Sequence, residues 1–299
     1  MVKILRDAGL SELVASDEVE RLAQGFQFTE GPLWCPDGTL LFQDTKAERT
    51  YGIALDRSVR VLREQTGAAN GQTFMPGGAI AFCEQNGRRV SRMLPDGSVV
   101  QPLCETWSGQ RLNSPNDIVC RTDGRLYFTD PPYGVAPRDR ALHFQGVYSL
   151  DAGAEGPTAS RLLADDLEKP NGLAFSPDES VLYINDSRRG HIRAFDLAPN
   201  GTVARHTDRV FADLRGDESG VPDGMKVDIQ GNVYCGGSGG LWIMDPAGKK
   251  LGRIVHGASA TTNLAFGGDD WKTLFFTTRG ELGSVRVKIP GVSVPAPRR

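Results

Sequence analysis

Residues 219–245 read Ser-Gly-Val-Pro-Asp-Gly-Met-Lys-Val-Asp-Ile-Gln-Gly-Asn-Val-Tyr-Cys-Gly-Gly-Ser-Gly-Gly-Leu-Trp-Ile-Met-Asp. The polar residue Asp223 opens a short apolar strand, a turn at Gly231 follows it, and two more short strands come after further glycines. Short strands separated by glycine-containing turns are typical of antiparallel sheets. The same pattern recurs along the chain, and such internal repeats are the main sequence evidence for the fold.

The pattern occurs six times, and we call the polar residue that opens the first strand of each copy its anchor. The anchors are Glu30, Asn70, Asn116, Asn171, Asp223 and Thr262. Successive anchors lie 40, 46, 55, 52 and 39 residues apart. A period of about 40–50 residues made of short strands is typical of β-propeller blades. The sequence therefore predicts an all-β, six-bladed β-propeller with four-stranded antiparallel blades.

Because each repeat can bury its face only against its neighbours, all six belong in one closed domain. We expect a single propeller domain over residues 1–299, with residues 1–25 as an N-terminal lead-in and residues 291–299 as a tail. Within the lead-in, residues 16–21 (Ser-Asp-Glu-Val-Glu-Arg) favour a capped turn or short helix.

Charge and composition limit the partners that we expect. The formal net charge of −3 gives no basic surface for nucleic acid or membrane. No apolar run is long enough to cross a bilayer, and the N-terminus lacks a signal-peptide pattern. The five scattered cysteines lie mostly in apolar strands, which favours buried free thiols in a reducing compartment. We therefore expect a cytoplasmic protein that is a monomer or a weak homo-oligomer.

The first strand of every propeller blade lines the central channel, so the six anchors should meet at one mouth of it. Together they supply two carboxylates, three amides and one hydroxyl. Such oxygen ligands suit a hard divalent cation such as calcium or magnesium. Two carboxylates facing one narrow channel would repel each other unless a cation or a proton lay between them.

A second interpretation of these positions stays open. An Asn-Gly, Asp-Gly or Glu-Gly pair before a strand can be ordinary turn chemistry. The second strands mostly end in acids that return to the same face of the propeller, namely Asp44, Glu84, Asp130 and Asp186. For Asp44 and Asp186 we favour hydrogen bonding to the next turn rather than a functional role.

Four motifs, in this order, resemble the gluconolactonase, senescence-marker-protein and luciferin-regenerating-enzyme family. They are Phe28-Thr-Glu-Gly-Pro-Leu-Trp34, Arg111-Leu-Asn-Ser-Pro-Asn-Asp117, Pro170-Asn-Gly-Leu-Ala-Phe-Ser-Pro-Asp178 and Pro222-Asp-Gly224. The resemblance covers about residues 26–290. The segment 113–117 together with Thr-Asp-Pro-Pro-Tyr-Gly at 129–134 is similar to the bacterial gluconolactonase branch.

This resemblance implies a six-bladed propeller with one divalent metal in its channel. It implies metal ligands at Glu30, Asn171 and Asp223, and a role for Asn116 in binding the substrate or completing the metal shell. It also implies that Asp223 acts in acid–base catalysis and that Arg111 lies near the family's substrate-binding arginine. Calcium is the favoured metal, with magnesium, manganese and zinc as alternatives.

The hypothesis that follows is metal-dependent hydrolysis of a sugar lactone. Asp223 would take a proton from water and return it to the leaving hydroxyl. Asn116, Arg111 and Tyr133 would hydrogen-bond the sugar. Two alternatives stay open: a phosphotriesterase-like hydrolase in which an aspartate attacks as nucleophile, and a propeller that only binds partners and keeps its metal as a structural plug.

Overall fold

The computed structural model describes residues 3–5, 7–15, 18–151, 160–257 and 260–294. Its strands form six antiparallel sheets arranged as the blades of a propeller, which confirms the predicted fold. The innermost strands contact one another in sequence, and the sixth contacts the first, so the ring is closed.

The strands are numbered in chain order. Two precede the first repeat: β1 (Lys3–Leu5) and β2 (Glu20–Gln24). From the channel outward, blade one consists of β3 (Thr29–Trp34), β4 (Leu40–Asp44), β5 (Arg49–Ile53) and β6 (Val59–Glu64), and blade two of β7 (Ala69–Phe74), β8 (Ile80–Glu84), β9 (Arg89–Met93) and β10 (Gln101–Cys104). A two-stranded hairpin follows, formed by β11 (Thr106–Trp107) and β12 (Gln110–Arg111). Blade three then consists of β13 (Ile118–Cys120), β14 (Arg125–Asp130), β15 (Gly146–Asp151) and β16 (Arg161–Ala164).

Blade four consists of β17 (Pro170–Phe175), β18 (Val181–Asp186), β19 (His191–Asp196) and β20 (Arg209–Asp213). Blade five consists of β21 (Met225–Val227), β22 (Val233–Gly237), β23 (Gly240–Met244) and β24 (Lys250–Val255), and blade six contains β25 (Asn263–Gly267), β26 (Thr273–Thr277) and β27 (Glu281–Arg286). In the described part of the chain the helices are three 3₁₀ turns, Leu10–Glu12, Pro137–Asp139 and Arg205–Thr207. None of its helices has the length and apolar character needed to cross a membrane.

The N-terminal segment belongs to the ring, which corrects the expectation that residues 1–25 are only a lead-in. Strand β2 pairs with β27 and is the outermost strand of blade six, so the two ends of the chain close the propeller together. Strand β1 pairs with β24 and gives blade five a fifth strand. The capped turn expected at 16–21 falls partly on residues 16 and 17, outside the described part of the chain.

The core lies between the blades, where large side chains of neighbouring sheets interdigitate. Phe128 and Tyr148, for example, are cross-strand neighbours in blade three whose ring centroids lie 5.3 Å apart. Both are fully buried in a cluster that includes Ala81 and Cys83 of blade two. Burying a side chain of this size stabilises the fold by roughly 1.5–3 kcal/mol relative to leaving it exposed. All five cysteines are buried free thiols, as predicted.

Candidate active site at the mouth of the channel

All six anchors line one cavity of about 620 Å³ at the mouth of the central channel. The predicted convergence of Glu30, Asn70, Asn116, Asn171, Asp223 and Thr262 is therefore observed. Residues that are up to 232 positions apart in the chain reach one site because each occupies the same place in its blade.

Irregular strand pairing in the inner strands sets the side-chain direction of three of the anchors. Glu30, Asn70 and Asn171 are each the second residue of their strand, β3, β7 and β17, rather than part of a turn. Just after each of them the pairing with the second strand shifts register. Such bulges redirect side chains and are common next to active sites. The turn interpretation is therefore wrong for these three residues.

The glycine after an anchor lets neighbouring inner strands approach closely. A Cβ on Gly31 would lie 2.1 Å from the Asn70 carbonyl oxygen, and one on Gly172 would lie 2.3 Å from the Asp223 carbonyl oxygen. At Gly71 the close approach is made by a hydrogen bond, in which its N–H donates to the Asn116 carbonyl at 2.8 Å. The anchor-Gly pair thus packs one blade against the next.

The two anchor carboxylates are buried, and burial disfavours their charged forms. Burial raises the pKa of Glu30 to about 8, and the negative charge of Asp117 adds to the shift. Burial also raises the pKa of Asp223 well above its usual range, with the Glu30 carboxylate as the second cause. A bound cation would offset both effects by stabilising the charged forms.

Two buried oxygens of the ring fit a cation. Glu30 Oε2 and Asn70 Oδ1 have no hydrogen-bond partner, whereas buried polar atoms in proteins nearly always have one. Among the described residues no group of three His, Cys, Asp or Glu side chains is arranged for a metal ion. The predicted set is instead mixed, with two carboxylates and two amides, and all-oxygen donors of this kind suit hard cations.

A third carboxylate, Asp117, lies close to Glu30 and Asp223, and sequence analysis missed it as a site residue. It is buried, and its Oδ1 accepts a hydrogen bond from the Ile118 N–H at 2.9 Å. Burial raises its pKa, while the ammonium group of Lys226 opposes the shift. Its position directly after the anchor Asn116 was the available signal.

Tyr133 lies in the long loop that follows β14, and its hydroxyl lines the cavity as predicted. Its Oη accepts a hydrogen bond from Asn171 Nδ2 at 3.3 Å. The residue is 41% exposed, yet burial of its hydroxyl, together with the charge of Asp223, raises its pKa to about 12. The phenol therefore stays protonated at neutral pH.

The structure does not bring Arg111 to the cavity. Arg111 lies on β12, is exposed, and donates from Nη2 to the Gly87 carbonyl at 3.2 Å. Two other cationic residues, Lys46 and Arg279, line the cavity and were not predicted. They flank the start of β3, where the backbone of Phe28–Thr29 bonds to Thr45 and to Arg279.

The acids at the ends of second strands form turns. Asp44 accepts hydrogen bonds from the backbone N–H groups of Gln27 and Phe28, and Asp186 from those of Glu168 and Lys169. The structural interpretation favoured for these two residues is confirmed. Asp130 acts in the same way, since it accepts from the N–H groups of 113 and 114.

Comparison with known proteins identifies the family. Residues 28–280 match the family model described as the SMP-30/Gluconolactonase/LRE-like region. The chain belongs to this family. A gluconolactonase of Zymomonas mobilis is 31% identical, with 93% of this chain and 84% of the relative aligned. A pentonolactonase of Haloferax volcanii is 27% identical, with 84% of this chain and 81% of the relative aligned.

Solved structures of the family have the same fold. A gluconolactonase from Xanthomonas campestris superposes with a TM-score of 0.83 at 31% identity, covering 96% of this chain and 94% of the other. The calcium-binding protein regucalcin from Agrobacterium tumefaciens superposes with a TM-score of 0.78 at 19% identity, covering 94% and 98%. The second likeness concerns the fold alone.

Proposed function

We propose that this family member is a metal-dependent lactonase that opens sugar lactones at the mouth of the channel. Glu30, Asn171, Asp223 and Asn116 would hold one divalent cation, with calcium favoured over magnesium, manganese and zinc. The observation that carries the proposal is their convergence on one cavity, where a buried Glu30 oxygen lacks a partner. Relatives named gluconolactonase and pentonolactonase support the reaction class.

When bound, the cation would polarise the lactone carbonyl and lower the pKa of a water. Asp223 accepts a proton from the attacking water and returns it to the ring oxygen that leaves. The Tyr133 hydroxyl lies beside Asn171, and we place it among the groups that hydrogen-bond a sugar oxygen. The Asn116 side chain lines the same cavity and either completes the metal shell or binds the sugar.

The size and polarity of the cavity suit a small polar substrate. Its volume of about 620 Å³ lies within the range of roughly 300–1,000 Å³ that is usual for small-molecule sites. The lining includes three carboxylate residues, Glu30, Glu48 and Asp223, and the cations Lys46 and Arg279. A bound sugar would therefore meet charged groups on the side of the mouth formed by blades one, five and six, and uncharged amides on the side formed by blades two to four.

The test is acid release from gluconolactone and xylonolactone, corrected for spontaneous opening, by protein stripped with chelator and by protein resupplied with metal. Removal of metal should abolish turnover, and Asp223→Asn should lower kcat by roughly 10²–10⁴-fold, the usual contribution of a positioned acid–base group. Glu30→Gln should weaken metal binding and lower activity at limiting metal.

Glu64→Gln is the control for the loss of a carboxylate, because Glu64 is an exposed residue of blade one that pairs with Arg49 at 3.0 Å and does not line the cavity. It should keep most of the activity. Equal rates in Asp223→Asn and wild type would refute the mechanism. Single turnover in ¹⁸O-labelled water then distinguishes a general base from a nucleophile, since label in Asp223 would mark a covalent intermediate.

A further inference from the structure

The Ser187 hydroxyl connects two of the proposed ligands. Ser187 is buried and directly follows β18, and its Oγ lies 3.1 Å from Asn171 Nδ2 and 2.6 Å from the Pro222 carbonyl oxygen. Pro222 is the residue before Asp223. One hydroxyl of blade four therefore contacts the amide of its own blade and the turn that carries Asp223 in blade five.

The chemistry of these contacts fixes the orientation of the Asn171 amide. A serine hydroxyl has one hydrogen, and a carbonyl oxygen can only accept. The Ser187 hydrogen must therefore be donated to Pro222. Only lone pairs of Oγ remain for Asn171, so the amide atom that faces Ser187 must be the donor, Nδ2. Its carbonyl oxygen, Oδ1, is the other substituent and points away from Ser187.

Tyr133 strengthens this orientation from a third blade. The second hydrogen of Asn171 Nδ2 is directed to Tyr133 Oη at 3.3 Å. The Asn171 side chain also hydrogen-bonds to the Asp223 carboxylate. Its amide hydrogens are then used by protein groups, and Oδ1 is left as the group that can bind a cation. Without these partners the amide could rotate by half a turn and present its NH₂ group, which repels a cation.

We infer that Ser187 is a positioning residue for the metal site: it holds Asn171 with Oδ1 available to the cation and ties that amide to the Asp223 turn. The inference rests on the proposed function, because it needs Asn171 to be a ligand. Ser187 itself does not line the cavity, so it acts through Asn171. Loss of such an outer partner typically weakens metal affinity 10–100-fold.

The experiment is calorimetric titration of chelator-stripped protein with calcium, on wild type and three variants. Ser187→Ala removes the hydroxyl, and Ser187→Thr restores it. Ser176→Ala is the matched control, because Ser176 is a serine of the same blade whose hydroxyl bonds to Asp178 at the other end of β17. Melting curves in chelator show whether each variant is folded before metal is added.

We expect Ser187→Ala to bind calcium 10–100-fold more weakly, with Ser187→Thr and Ser176→Ala near the wild-type value. Equal affinity of Ser187→Ala and wild type would overturn the inference, as would weak binding by a folded Ser187→Thr. Wild type is also titrated with magnesium, manganese and zinc, and a wild type that binds none of the four metals would overturn both proposals. A wild type that binds metal but opens no lactone would overturn the lactonase proposal alone, and the comparison of affinities would still decide the role of Ser187.

Discussion

Replacement of Gly172 by alanine tests whether the close contact between blades sets the geometry of the site. The new Cβ would lie 2.3 Å from the Asp223 carbonyl oxygen and 2.9 Å from Gly224 Cα. Real Cβ atoms essentially never come within 3.0 Å of another heavy atom, so the inner strands of blades four and five must separate by at least 0.7 Å (3.0 minus 2.3). These two atoms are backbone atoms and cannot rotate away; the third close atom is Asn185 Nδ2, at 2.9 Å.

That shift separates Asn171 from Asp223 directly. Overpacking of this kind costs about 1–3 kcal/mol of stability, or a fall in Tm of roughly 2–4 °C per kcal/mol for a chain of this size class. Since a 1 Å misplacement can cost about 10²-fold in rate, we expect kcat/KM for gluconolactone to fall by roughly 10–100-fold. The assay is acid release at saturating metal, with melting curves recorded on the same preparations.

Gly77→Ala is the matched control. Gly77 has a φ of +88° with no atom within 4 Å of its added Cβ, so the variant is strained by about 1–2 kcal/mol without moving the site. It should lose stability and keep its activity. Wild-type kcat/KM in a folded Gly172→Ala variant would refute the argument that this contact positions the two ligands.

Two further predictions concern stability. Burial lowers the pKa of His256 from 6.5 to about 4, so this histidine contributes stability that is present above pH 6.5 and is lost as the pH falls toward 4. Denaturant titrations should show wild type losing up to about 2 kcal/mol more unfolding free energy than His256→Leu between pH 7 and pH 5. Parallel pH profiles would contradict this assignment, and His206→Leu, at an exposed position, controls for the loss of a histidine. Deletion of residues 1–24 should leave the edge of β27 unpaired and produce aggregates in size-exclusion chromatography. Deletion of residues 1–5 removes the fifth strand of blade five and should leave a monodisperse protein. If both deletion variants were monodisperse, β2 would not be needed to close the ring.

The fold could be predicted because the same strand-and-turn pattern occurs six times in the sequence. A single anchor-Gly pair favours a turn over a ligand, but six copies of the strand-and-turn pattern at similar spacing leave few architectures other than a propeller. The pairing of β2 with β27 could not be predicted in the same way. It joins Glu20 to Ser284, and strand pairing between such distant segments has no local sequence signal.

Apart from Tyr133 in the loop after β14, the predicted residues that reach the cavity are those that follow the repeat. Glu30, Asn171 and Asp223 reach the cavity because they occupy equivalent places in their blades. Arg111 was assigned by resemblance to a motif, but it lies on a hairpin between two blades, where the repeat gives no positional information. Lys46 and Ser187 come directly after second strands in turns, and their orientation depends on turn geometry rather than on strand alternation.

The anchor of blade six, Thr262, shows why the six equivalent positions do not all serve the site. Thr262 of blade six stands between Asp223 and Glu30 in the ring, where another carboxylate would add repulsion. Its hydroxyl bonds to the Thr29 carbonyl at 2.7 Å and to Thr277 Oγ1 at 2.8 Å. Because those contacts use the hydroxyl to join blade six to blade one, it is not directed to a ligand in the channel. The repeat therefore makes the ring, and the departures from it decide which side of the ring can hold a cation.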